Sequence, residues 1–477
     1  MDGTAILTAV AIGGPWLAAI LTIAGRRHVR IVGCGAALVS AVASALLLVA
    51  APPSESLKQT LMLLYSCLTL GATVVLPRRD CRPGMIAGIL FLLGATLLAY
   101  STDDLRILLG AWILSTLPFL FKTSFAARAW RPRLALLLSS FALALAVAMI
   151  AWQSHEMSIA GLTRRDPGGN VVFGLLVAAV VLRKGICPVH AWVADAAEGG
   201  SPIPTALLLN GHFGAMLLVR LIMPLFPNAA RNSFPLLSYL ALATALYVAV
   251  RALAENSPRR LIAYLALSQS ACILAGLESR TPEGVTGALV HWVVVSISTV
   301  ALFSILRLLE VRFGENLTAG TYFGLAEHAP RLAVFFLLFG LALVGLPGTL
   351  GFCSQDLLIH GTLASHPLIG LLLPLATAMN AITVFRLFAR LFFGKRRTGF
   401  TVAADALPRE RWILAAGALF AVLGGLLPNM LVSERSAQAA PIAQAVSKEY
   451  AVRVRHRPRT GIADKRLLPD CQPSQQR

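Results

Sequence analysis

Fourteen long apolar runs recur along the chain, at 5–24, 31–51, 60–76, 85–100, 105–121, 134–152, 171–193, 201–225, 236–255, 259–277, 284–310, 330–358, 367–393 and 412–433, separated by short polar or basic stretches. About 20 apolar residues in a helix cross the roughly 30 Å hydrocarbon core of a bilayer. Within lipid a spanning segment must satisfy its own backbone, which an α-helix does and a lone strand does not. The pattern therefore predicts an all-α polytopic membrane protein with about 14 transmembrane helices. The run at 85–100 is short for a span, so counts of thirteen and fifteen stay open.

Three of these runs are interrupted: 171–193, 201–225 and 330–358. In VVLRKGICPVHAWVAD the apolar chain meets Arg183, Lys184, Gly185 and Pro188 before it resumes toward Asp195. Proline removes a backbone donor and clashes with the preceding turn, so the helix must open there. Open backbone at membrane depth persists only against protein or a water-filled cavity. In GLALVGLPGTLGFCSQDLLIHG, residues 340–361, the chain runs into Gly345, Pro347, Gly348 and Gly351, resumes, and reaches Asp356 where the first break reaches Asp195. Broken helices at matching places in two halves point to two inverted repeats with a site near mid-membrane. The expected division is 1–84, transmembrane helices 1–3; 85–225, the first inverted repeat with helices 4–8; 226–393, the second with helices 9–13; 394–433, helix 14; and 434–477, a basic tail expected to be disordered.

Basic residues gather in alternate loops: Arg26, Arg27 and Arg30; Arg78, Arg79 and Arg82; Arg128, Arg131 and Arg133; Arg259 and Arg260; Lys395, Arg396 and Arg397. The excess of Lys and Arg in cytoplasmic loops places these in the cytoplasm and the N-terminus outside. Fourteen spans would then put the tail outside too, although it carries Arg453, Arg455, Arg457, Arg459, Lys465 and Arg466. Either the tail lies too far from the last span to count, or the span number is odd.

Composition agrees with a membrane location. Hydrophobic residues make up 57% of the chain and charged ones 13%, against about 25% charged in soluble domains, and the mean hydropathy is +0.74. The net charge of +19 would suggest nucleic acid in a soluble protein. Here the cations punctuate apolar runs as headgroup anchors do, so no nucleic-acid partner is expected. The seven cysteines are scattered with no close pair, which excludes a CxxC metal or redox site and an iron–sulfur ligand set. No cofactor is expected. The N-terminus, MDGTAILTAVAIGG, lacks a basic n-region, and the first run reads as a retained helix.

Ionisable residues inside apolar segments are costly, and their default explanation is an ion path. Lys184 beside the first break is the leading candidate, the bland alternative being a lysine that snorkels to the headgroups. His212, in LLLNGHFGAM, and His291, in GALVHWVVVSIS, are neutral groups able to donate and accept. Each could equally serve packing or bond a freed carbonyl. Asp356 could join such a path or accept backbone N–H groups in the break.

The stretch LRKGICPVHAWVADAAEGGSPIPTALL resembles the hallmark of the antiporter-like membrane subunits of respiratory complex I (chain 2, 4 and 5 types), Mrp antiporters and membrane-bound hydrogenases. ENSPRRLIAYLALSQSACILAGL at 255–277 and GLPGTLGFCSQDLL resemble further family segments in the same order, and together they cover roughly 170–395. The resemblance implies a midplane chain of buried charges: a Glu on the fifth helix, a Lys on the seventh, a Lys or His on the eighth, a Lys on the eleventh and a Lys or Glu on the twelfth. Lys184 falls on the seventh-helix Lys. His212 lies in the eighth-helix break, and His291 falls on a family His. The chain departs elsewhere: Ile113 follows Trp112 where the family has Glu, and Thr299 and Gln355 stand at the lysine positions, with Asp356 next to Gln355. The membrane subunit of two-component inorganic carbon transporters also resembles complex I chain 5, and a missing Glu would be tolerable there.

Two functions follow as expectations. In one, the chain is a proton- or cation-translocating, energy-coupling subunit in which Lys184, His212, His291 and Asp356 pass protons through internal water; the carbon-transporter subunit, moving bicarbonate or CO2, is its alternative. In the other, it is a degenerate scaffold that holds a partner at the membrane. Either way it sits in the cell inner membrane, has no catalytic centre or metal of its own, and works with other subunits, including a soluble or peripheral one. Any enzymatic role would be as a subunit of an NADH-quinone oxidoreductase-like translocase.

Overall fold

The computed structural model describes residues 3–25, 28–52, 56–121, 129–154, 156–163, 169–314, 317–395 and 405–446. Its elements are helical throughout: α1 (Gly3–Gly25), α2 (Val29–Ala50), α3 (Leu57–Val75), α4 (Pro83–Ser101), α5 (Leu105–Leu120), α6 (Trp130–Gln153), α7 (Ile159–Thr163), α8 (Asn170–Lys184), α9 (Ala191–Gly199), α10 (Pro202–Asn210) and α11 (Phe213–Leu217). A π-helical turn at Leu218–Ile222 leads into α12 (Met223–Leu225). There follow α13 (Pro227–Ala254), α14 (Pro258–Glu278), α15 (Pro282–Phe313), α16 (Pro330–Leu343), α17 (Leu350–Ser365), α18 (Pro367–Phe392), α19 (Pro408–Leu426) and α20 (Asn429–Val446). Many start on a proline, whose fixed φ and missing N–H suit the first turn. Ser257 caps α14 and Thr281 caps α15 through their hydroxyls, and the Asp104 carboxylate accepts two backbone N–H groups at the start of α5.

The protein is an all-α polytopic membrane protein. Ten helices among the described residues are long and apolar enough to cross a bilayer: α1–α4, α6, the broken unit α10–α12, α13–α15 and α18. The helices α19 and α20 qualify only as a pair, bent by 79°, and α5 and α16 are shorter apolar helices. The segment at 85–100, short in the sequence pattern, is a full 19-residue helix because α4 begins at Pro83. The opposite holds at 434–446, where α20 continues a helix through residues expected in the tail. Residues 447–477 lie outside the described residues, as do Arg26, Arg27, Arg128, Arg396 and Arg397.

The core is built on α14 and α15, which are buried along nearly their whole length. By contrast α1, α2, α6 and α18 bury one side and expose rows such as Leu17, Ile20 and Leu21 or Leu137 and Phe141. A contiguous apolar exterior of that kind is tolerated when the solvent is lipid.

Three breaks interrupt the helices. Gly185 takes φ +69, and a Cβ there would sit 2.5 Å from the Val193 side chain, so only glycine ends α8 this way. His212, at φ 41, separates α10 from α11, and Gly345 and Gly348 separate α16 from α17.

Ion pairs tie one end of the bundle together. Arg307 holds Asp80 through two bonds of 2.7 and 2.8 Å and reaches Glu310 at 3.1 Å, while Arg259 grips Glu310 at 2.6 and 2.7 Å. Asp195 accepts from Arg260 at 3.1 Å and Arg131 at 3.2 Å. Arg386 donates to Asn256, and Gly324 bonds the carbonyl of Phe393. The basic loops around Arg78, Arg131, Arg259 and Lys395 thus share one end. At the other end of α3, Asp103 pairs with Lys58 and Arg220.

Candidate ion-conducting axis

Lys184 is the last residue of α8, and the break beyond it directs its side chain inward, where it is 6% exposed. Its Nζ lies 2.6 Å from Nδ1 of His212 and also donates to the Ser270 hydroxyl on α14. With Nδ1 accepting, the proton of a neutral His212 ring resides on Nε2. That nitrogen finds no partner among the described residues, and the ring meets Trp292 edge-on at 5.2 Å. A cavity of about 20 Å³ lined by Arg183, Lys184, Asn210, His212 and Ser270 adjoins the pair. That is room for one water with several polar partners.

His291 lies on α15 and is fully buried. Its Nε2 is 2.9 Å from Gln269 Oε1 and its Nδ1 is 2.9 Å from the Ser354 hydroxyl of α17. Gln355 donates to the same Gln269 oxygen at 3.4 Å and to the Leu343 carbonyl at 3.3 Å. An amide and a hydroxyl can each act as donor or acceptor after a flip or rotation. With Gln269 Oε1 accepting throughout, rotation of the Ser354 hydroxyl alone lets His291 be held as a neutral ring or as an imidazolium without moving heavy atoms.

The link between the two histidines is a polar triplet on α14. Ser268 donates to the Ala245 carbonyl and accepts from Asn380 at 2.7 Å, Gln269 faces His291, and Ser270 faces Lys184. Three successive residues on one helix point about 100° apart, so this triplet contacts α13 and α18, α15, and α8 at one level. In the sequence this segment stands out only as a family match. Its signal was a Ser-Gln-Ser run inside an otherwise apolar helix.

Arg183, to which the sequence assigned no role, is buried. Its Nη2 donates to Ser115 at 2.7 Å, and its guanidinium lies 5.3 Å from the Trp112 ring centre and 5.1 Å from that of Phe213, a cation–π arrangement that a dry site strengthens. Glu278 was also missed. It is buried at the C-terminal end of α14, one carboxylate oxygen has no partner among the described residues, and it lines a small cavity with Val181 and Ile186 beneath the α8 break.

The positions where the family's charges are absent are explained individually. Ile113 is 37% exposed and faces outward while its neighbours Trp112 and Ser115 turn toward Arg183. Thr299 accepts from Asn210 at 2.7 Å, pinning α10 to α15. Asp356 does not join the axis. Its side chain is 56% exposed and pairs with His360 one turn along α17, whereas Gln355 faces in. Asp103, Asp104 and Asp195 are engaged by arginines or lysine away from the break. Among the described residues no carboxylate forms an ion pair with Lys184.

The sequence matches the family described as NADH:quinone oxidoreductase/Mrp antiporter, TM, over residues 108–380, more than half of the chain. It is 31% identical over 252 residues to NADH-quinone oxidoreductase subunit M of Mycobacterium tuberculosis, covering 52% of this chain and 45% of that one. The chain thus spans about half the length of the curated relatives it matches. Its fold is similar to a chain of respiratory complex I from Thermus thermophilus with bound NADH, with a TM-score of 0.83, 23% identity, and coverage of 92% of this chain and 100% of that one. A chain of the Mrp complex from Dietzia sp. DQ12-45-1b is similar at a TM-score of 0.79, 19% identity, and coverage of 95% and 99%.

Proposed function

Because this chain belongs to the NADH:quinone oxidoreductase/Mrp antiporter family of transmembrane proteins, we propose that it is an ion-translocating, energy-coupling membrane subunit that works within a multi-subunit complex. Lys184 carries the reading. Among the described residues its Nζ is bonded to His212 and Ser270 and to no carboxylate, so an amine and an imidazole, two groups able to exchange a proton, stand in direct hydrogen-bond contact. A proton leaving Nζ passes to Nδ1 of His212. From Nε2 it needs one mobile water to continue toward the Gln269–His291–Ser354 group. Glu278 supplies a buried acceptor beneath the α8 break.

The proposed topology has fourteen crossings in two inverted repeats. Beyond the ten long helices, these are α5, the broken pairs α8–α9 and α16–α17, and α19. The end that gathers Arg78, Arg131, Arg259 and Lys395 faces the cytoplasm, following the distribution of positive charge. Both similar solved structures are complexes by their descriptions, which supports partner subunits here, including a soluble or peripheral one.

A second reading, an energy-coupled inorganic carbon transporter subunit or a non-pumping scaffold, draws on the neutral residues Ile113, Thr299 and Gln355. One experiment separates them: the complex purified through this chain is reconstituted in vesicles with an internal pH dye and driven by its own energy source. Proton movement that depends on Lys184 supports the first reading. Its absence, with the complex intact, leaves the second.

A further inference from the structure

A groove of about 480 Å³ opens on the outer face between α3, α15 and α19, and α20 closes one end of it. Its walls are apolar, with Leu64, Cys67 and Gly71 of α3 opposite Ile413, Gly417 and Phe420 of α19. The polar lining is gathered at the α20 end in Thr60, Glu434 and Arg435. There Gln438 donates to Ser56 at 2.6 Å, and Thr60 reaches Glu434 at 3.5 Å, which seats α20 over the start of α3.

The geometry of α19 and α20 sets the depth. They are bent by 79° to one another, so if α19 crosses the bilayer, α20 lies near its surface plane. Arg435 and Glu434 then stand at headgroup depth. From Thr60 to Val75 the groove descends along α3 by roughly 22 Å at 1.5 Å per residue, well into the hydrocarbon. Arg435 is 4% exposed, donates to Gln438 Oε1 at 2.8 Å, and among the described residues leaves its Nε without a partner.

We propose that this groove binds one ethanolamine phospholipid, with an acyl chain along α3, the phosphate on Arg435 and the ammonium on Glu434. Adjacent guanidinium and carboxylate groups at the rim match the two charges of that headgroup, and guanidinium suits phosphate in particular. The volume lies within the range of small-ligand pockets.

The test uses the full chain in detergent, native mass spectrometry, and alkylation of Cys67, which is exposed inside the groove. One phosphatidylethanolamine is expected to stay bound, and adding that lipid should slow Cys67 alkylation at least fivefold, with phosphatidylglycerol and phosphatidylcholine less effective. In Glu434→Gln the preference should move to phosphatidylglycerol, Arg435→Gln should lose headgroup preference, and Cys67→Trp should lose the bound lipid. Retention of detergent only, equal protection by all three lipids, or protein crosslinks from Cys67 in the isolated complex in place of lipid would each overturn the proposal. If Arg435→Gln does not fold, the Glu434→Gln preference still decides it.

Discussion

Replacing Lys184 by methionine keeps the volume of the side chain and removes its titratable group. The structural cost follows from the contacts: Nζ serves His212 Nδ1 and Ser270 Oγ, and buried hydrogen bonds of this kind in membrane proteins contribute about 0.6 to 2 kcal/mol each. Losing both costs about 1 to 4 kcal/mol. Against that stands the desolvation of an ammonium, still several kcal/mol after relaxation, which the variant no longer bears. The two effects are of similar size, so Lys184→Met should fold, insert and assemble, with a stability change within about 2 kcal/mol. Dye-detected proton movement in vesicles should fall by at least about 100-fold, the scale of a positioned proton-transfer group. Lys184→Arg should fail almost as badly, because guanidinium does not deprotonate in proteins. Assembly checked by size-exclusion chromatography keeps the comparison fair. Near-normal coupled transport in both assembled variants would refute the relay and leave the scaffold reading.

Gln269→Leu removes the bridge between His291 and Gln355 and should lower proton flux while the Lys184–His212 pair stays formed; flux at the original level would place His291 outside the path. Asp356→Asn should leave flux unchanged in the same vesicle assay, since the side chain lies exposed beside His360. Glu310→Gln strips the shared partner from Arg259 and Arg307 and should destabilise the bundle by about 3 to 5 kcal/mol, read as earlier unfolding on denaturant titration in detergent. Asp104 is held below the usual carboxylate range by its bond from Arg106, with backbone N–H bonds adding to the effect. A folded pKa below the unfolded value gives stability that is present above roughly pH 4 and lost as pH falls through the folded value. Asp104→Ala should therefore cost about 1 kcal/mol near neutrality and flatten the acid limb of an unfolding-versus-pH curve.

The apolar runs by themselves determined that this is a helical membrane protein, because a backbone in lipid has almost no other way to satisfy its hydrogen bonds. They also located the breaks at Gly185–Pro188 and Gly345–Gly348, where glycine and proline close together weaken a helix. Lys184, His212 and His291 were legible because an ionisable group in an apolar segment stands out without any knowledge of its neighbours. Which way each residue points was not legible. One step along a helix turns a side chain by 100°, and packing chooses the rotation. That is why Gln355 faces Gln269 and Asp356 faces out, and why Ile113 looks away from Arg183 and Lys184. The Ser268–Gln269–Ser270 level and the burial of Arg183 depend on which helices surround α14 and α8. The same holds for the meeting of Asp80, Arg259, Arg307 and Glu310 at one end. These contacts join residues as much as 227 positions apart, and hydropathy, being a local property of the chain, carries no record of them.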